Sequence, residues 1–162
     1  MSLKADRHEA DTDISYFYNV GTATRGGVVV LDAVNASGAS MDQAGNKVKY
    51  AVAVVTDVPV GILLNDVVNK DLTRTHLNQY KDEVQKGGKV TVMTKGYILT
   101  NNVTGSPAPG SRAYACDTTA GNIAGTAPNA LGSGQLIIGR FMTNKDSDGY
   151  AKVAINLPNF AT

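Results

Sequence analysis

Residues 88–100, GKVTVMTKGYILT, restrict the fold of this chain more than any other stretch. Val90, Val92 and the aliphatic part of Thr94 alternate with Lys89, Thr91, Met93 and Lys95, the two-residue period of a strand with unlike faces. Gly96 interrupts the run and Tyr97-Ile98-Leu99 resumes it. A long strand with a central glycine is built to bend, as strands of barrels and curved sheets do.

The other apolar runs are short and bounded by turn residues. In RGGVVVLDAV (25–34), Val28 to Leu31 read as a strand, and VKYAVAVVT (48–56) reads as another. PVGILLNDVV (59–68) opens on Pro59, where a missing N–H suits a strand start. Gly61 inside that run marks a bulge or a barrel corner. SRAYACD (111–117) is a short strand. QLIIGRFM (135–142) and YAKVAINL (150–157) form a hairpin across TNKDSDG, and Pro158 ends it. Residues 35–47 are a small-residue loop and 101–110 a turn region. Residues 118–134 are a long excursion, either functional or pinned by a partner.

Residues 69–86, NKDLTRTHLNQYKDEVQK, are the one plausible helix. Asn69 or Asp71 would cap it and Gly87-Gly88 would stop it. Leu72, His76 and Tyr80 share a face, while Thr73, Thr75 and Asn78 weaken it, so an ordered loop is the alternative. About seven strands, at most one short helix and glycines throughout make an all-β chain, a small glycine-rich barrel or sandwich. Its 162 residues fit one domain, placed at 25–162, preceded by an extended N-terminal arm at 1–24.

The formal charge is +1, from 15 basic and 14 acidic residues, so neither nucleic acid nor a membrane surface is the expected partner. Only 18% of residues are charged, which suits a surface partly covered by other subunits. Cys116 is the only cysteine, so no intrachain disulfide forms, as in a reducing compartment. No apolar run reaches the length of a membrane span, and the charged N-terminus lacks the apolar segment of a signal peptide.

Candidate chemistry is sparse. NKDSDG (144–149) begins like a calcium loop, but Ile155 stands where the bidentate Glu should be, and the flanks are strands. It reads as a hairpin turn. The glycine-rich stretches at 25–27, 85–89 and 131–139 contain no phosphate-binding pattern. Cys116 reads as a small buried hydrophobe, and His8 and His76 are too few to flag a triad. DRHEADTD (6–13) gathers three Asp, one Glu, one His and one Arg. A metal site needs a scaffold that makes ligands converge, and this segment has no apolar period to supply one. With Tyr16-Phe17-Tyr18 directly after it, the segment reads as an interaction element. Asp6, Arg7, Glu9, Asp11, Tyr16, Phe17 and Tyr18 are its candidate contact residues. No catalytic, cofactor or metal residue is assigned.

The order of short motifs resembles a known family. Pro-Val-Gly-Ile at 59–62, Gly-Gly-Lys-Val at 87–90, Lys-Gly at 95–96, Pro-Gly-x-Arg-Ala at 109–113 and Ile-Gly-Arg at 138–140 carry it, across 25–157. The chain resembles the small β-barrel capsid-decoration (cement) proteins of tailed bacteriophages, the group similar to the head-decoration protein of phage lambda. The 66–86 segment looks like an addition to that pattern. The resemblance implies a non-enzymatic virion protein without cofactors, made in the host cytoplasm and placed on the outer capsid surface. Its partners would be the major capsid protein and its own copies, as a homotrimer. It would clamp neighbouring capsomers and stabilise the expanded shell. In that setting an arm can add to a strand edge, and three copies give avidity. The alternative is a phage tail or fibre component, or a carbohydrate-binding module.

Overall fold

The computed structural model describes residues 2–32, 47–52, 58–66, 83–127 and 137–157. Its strands, in chain order, are β1 (His8–Tyr18), β2 (Thr22–Thr24), β3 (Val28–Leu31), β4 (Lys47–Tyr50), β5 (Pro59–Asp66) and β6 (Glu83–Gln85). They continue with β7 (Lys89–Thr100), β8 (Val103–Thr104), β9 (Arg112–Ala115), β10 (Ile123–Ala124), β11 (Ile137–Phe141) and β12 (Ala151–Asn156). The described residues hold no helix, and the all-β expectation holds.

Ten strands form one sheet in the order β1-β4-β3-β5-β7-β12-β11-β9-β10-β8. A further pairing of β1 with β7 closes β1, β4, β3, β5 and β7 into a ring. β2 and β6 form a separate antiparallel pair. β7 joins the ring to the rest. β1 runs along one edge from Lys89 to Tyr97. The other edge is shared, by β5 at Val90–Met93 and by β12 at Lys95–Thr100.

The change of partner falls beside Gly96, whose φ is +142°. A Cβ there would lie 2.0 Å from the His8 carbonyl oxygen. Only glycine lets β1 come this close to β7 at the bend, which is the reason for the break in the apolar run. Gly61 also sits at an irregularity, as expected: Val29 pairs with Gly61 but Val30 with Pro59, so β5 bulges by one residue.

Two cores lie back to back across the shared strands. Val29, Val48, Leu63, Val90, Val92 and Tyr18 fill the ring, with Ala23 and Val84 of the β2–β6 pair packed against them. Val28, Val30, Ile62, Leu64, Met93 and Ile98 face the other way, against Ile123, Ile138, Phe141, Val153 and Ile155. β3 and the middle of β5 are therefore buried on both faces. That explains why VVV at 28–30 and GILL read as continuous apolar runs, while β12 alternates; Leu31, at the end of β3, is exposed. Each such aliphatic side chain contributes about 1.5–3 kcal/mol when fully buried.

The ring is also tied to the loop after β9. Val28 N donates to Gly121 O at 2.7 Å, and Gly121 N donates to Ala51 O at 2.9 Å. The Tyr50 ring packs where side chains on Gly27 and Gly121 would stand. Its hydroxyl donates to the Thr24 carbonyl and accepts from the Thr24 amide at 2.5 Å. The described part of the 118–134 excursion is thus pinned by the body of the same chain.

The strand expected at 28–31 is present as expected, those at 88–100, 111–117 and 150–157 are present with shortened ends, and of those at 59–68 and 135–142 the described parts are β5 and β11. That at 48–56 is described only in part, as β4. The expected helix at 69–86 lies outside the described residues up to 82, and its last turn is strand instead. Glu83–Gln85 pairs with Thr22–Thr24, and Val84 is buried opposite Ala23.

Gly96→Ala and Gly105→Ala separate backbone strain from close approach. Gly105 has φ +76° with nothing within 4 Å of a Cβ. Its substitution costs about 1–2 kcal/mol from strain alone. Gly96→Ala adds overpacking against β1 and costs about 2–5 kcal/mol. Urea midpoints measure both, and equal losses would contradict the close packing of β1 on β7.

Candidate interaction surface

The N-terminal segment lies along β7 for its whole length. Lys4 N donates to Leu99 O at 2.9 Å, and Asn101 N and Thr100 Oγ1 each donate to Ser2 O at 3.0 Å. Leu3 bridges to Thr100 and enters the core. Surface contacts follow. Lys4 Nζ sits 3.7 Å from Asp146 Oδ2 and 4.0 Å from the Tyr150 ring centroid. Lys152 Nζ sits 3.7 Å from Asp6 Oδ2 and 4.2 Å from the Tyr97 centroid, with the His8 ring 5.5 Å from Tyr97. Exposed ion pairs and cation–π contacts contribute about 1 kcal/mol or less each. The backbone ladder and the buried Leu3 and Tyr18 therefore hold the segment, and the charges set its register.

β1 pairs His8 with Tyr97, Glu9 with Gly96, Asp11 with Lys95, Thr12 with Met93, Asp13 with Val92, Tyr16 with Val90 and Phe17 with Lys89. Its other edge meets β4 only at Phe17 and Tyr18. Among the described residues, nothing pairs with that edge from His8 to Ser15. The side chains there are exposed, except the half-buried Asp13. Between Asp13 and Tyr16, β1 spends one residue more than β7 does, a bulge. Ser15 N donates to Asp13 Oδ1 at 2.7 Å and fixes it. Ile14 is left 54% exposed.

The segment expected as an arm without an anchor is extended, but it is a strand of the sheet. Its periodic signal is broken by bulges, and its anchors are Leu3 and the aromatic end. Of the candidate contact residues, Asp6 pairs with Lys152 and Arg7 with Glu9. Asp11 is exposed and makes no ion pair among the described residues. Tyr16 and Phe17 are half-buried, Tyr16 against the ring core. Tyr18 is 1% exposed and belongs to the core, edge-on to Tyr50 with centroids 6.1 Å apart. Ile14 was not among the candidates, because the bulge that turns it outward has no signature in an alternating pattern.

The chemistry-bearing features resolve as architecture. Among the described residues, no three His, Cys, Asp or Glu side chains gather as a metal ion requires. NKDSDG is a turn: Asp146 Oδ1 accepts from Asp148 N at 3.0 Å and Tyr150 N at 2.7 Å, and Gly149 has φ +87°. Cys116 is buried beside Thr118 and Thr104. Burial pushes its thiol up, but the hydrogen bonds from these hydroxyls and nearby backbone outweigh that and leave it lowered.

A family model described as structural cement protein (E217 gp24/Pam3 gp6) matches residues 5–156. The chain belongs to this phage cement family. No curated protein matches it. Membership makes it a structural protein of the phage virion that stabilises the capsid and binds its shell. The match begins at residue 5 and so includes all of β1 and its bulge.

The aromatic end of β1 sets an alkaline limit on the cement protein. Burial, then the nearby Tyr50, pushes the Tyr18 phenol up from 10.0 to about 12. Burial also raises Tyr50. A raised pKa means that the fold favours the neutral phenol. This stability is fully present below pH 10 and is lost as pH rises toward 12. Tyr18→Phe shifts the alkaline unfolding midpoint, followed by circular dichroism, to higher pH. An unchanged midpoint would contradict the burial of an ionisable Tyr18.

Proposed function

We propose that this cement protein sits on the outer surface of the phage head and clamps adjacent capsomers of the major capsid protein, as a homotrimer, with β1 toward the shell. The observation that carries the reading is the edge of β1 from His8 to Ser15, which nothing among the described residues pairs with. It is a row of backbone donors and acceptors on a strand whose other edge is held by β7. Natural sheets cover or blunt such edges, and one left open on a binding protein is a docking site. Asp6, Arg7, Glu9, Asp11, Tyr16 and Phe17 lie on or beside this edge, and Tyr18 supports it from the core.

The opposite lobe supports self-association. Residues 101–110 and 118–127 carry no charge, and Ser106, Ala108, Pro109, Thr118, Thr119 and Ala120 are exposed. A patch of small uncharged groups suits a subunit interface. The lambda-type likeness rests on the motif order at 59–62, 87–90, 95–96, 109–113 and 138–140. A carbohydrate-binding or fibre role would call for an exposed aromatic face. Among the described residues, the large exposed apolar side chains are Ile14, Val20, Leu31, Val52, Val58 and Met142, none of them aromatic.

A protein that binds only the assembled lattice shifts the equilibrium toward it. Heads assembled without this chain, then supplied with it, should gain heat resistance and show added density outside the shell at capsomer junctions. The free protein should have three times the 16.9 kDa chain mass in solution. Unchanged heat lability, or density on the inner face, would contradict the clamp.

A further inference from the structure

We propose that the open edge of β1 takes a strand of the capsid protein that carries a Lys or Arg opposite Asp11, and that Ile14 is the apolar anchor of this contact. The inference rests on the docking reading above and names its chemistry.

Asp6 and Glu9 are matched within the chain, by Lys152 and Arg7. Asp13 gives one oxygen to the Ser15 amide. Asp11 is exposed and has no charge partner among the described residues; its register neighbour Lys95 forms no ion pair with it. One cation on the incoming strand therefore completes the edge. The bulge supplies the second element. Bulges re-aim a side chain at sheet edges, and this one turns a branched aliphatic residue outward at 54% exposure. A single protruding apolar group within a polar rim matches the anatomy of a binding hot spot.

The same residues argue against a second copy of β1 as the occupant. In an antiparallel pairing centred on Asp11, Asp11 would face Asp11 and Glu9 would face Asp13. Like charges directly opposite each other destabilise a strand pair. A basic strand from a different chain meets neither obstacle.

The test uses the full chain and empty heads assembled without it, with binding read by co-sedimentation. Ile14 and Asp11 are exposed, so Ile14→Asp and Asp11→Lys leave folding intact, which circular dichroism checks. Ile14→Asp should weaken binding by about 30-fold or more. Asp11→Lys should weaken it by about tenfold and reduce its salt dependence. Met142→Asp, at an equally exposed apolar position just after β11, should bind as wild type does. Wild-type binding with Ile14→Asp within about twofold of it would overturn the inference alone. Wild-type protein that fails to sediment with the heads would overturn the docking reading as well.

Discussion

The whole molecule depends on β7 having both edges occupied. Its 12 residues carry β1 along one edge, and β5 and then β12 along the other. The transfer from β5 to β12 requires a bend, and the bend requires a residue without a Cβ at Gly96. Once β7 bends, the five-membered ring closes on one side and the remaining strands fold over its outer face. Two cores then share β3, β5 and β7. Damage to these strands removes packing from both sides at once.

The N-terminal segment does two jobs that conflict in principle. It closes the ring through its ladder with β7 and through Tyr16 and Tyr18, it anchors Leu3 in the second core, and it presents an edge that nothing among the described residues pairs with. The conflict is resolved by direction. One edge of β1 and its aromatic end face the body, while the other edge and the charged stretch face outward. Because the segment is part of the ring, its removal would unfold the protein and not merely undock it. Single substitutions on the outward side are the informative changes.

Much of the body was legible in the sequence, because burial and period agree there. VVVL, GILL, KVTVMTKGYILT and the hairpin at 135–157 are strands for the reasons their patterns suggest. The position of Gly96 announced the bend. β1 was not legible, because three register shifts scramble its alternation and its partner is some 80 residues away. The two- and three-residue strands β2, β6, β8 and β10 are too short to show any period. Val84 shows the cost: it falls in the stretch expected as a helix, but its burial comes from a strand pair. The candidate contact residues divide between the exposed edge of β1 and the core. Charge density pointed to residues 6–13, whereas Tyr18 went to the core, and Ile14 emerged only with the bulge.

The central claim is that β1 is held by β7 on one edge and is free to receive the shell on the other. Residue-resolved amide exchange across His8–Ser15 tests it, in the free protein and in protein bound to heads. The account predicts two classes of amide in the free protein: those facing β7 protected, and those on the open edge exchanging fast. Binding should slow the second class and leave the first unchanged. Open-edge amides that exchange equally fast on the shell would contradict it.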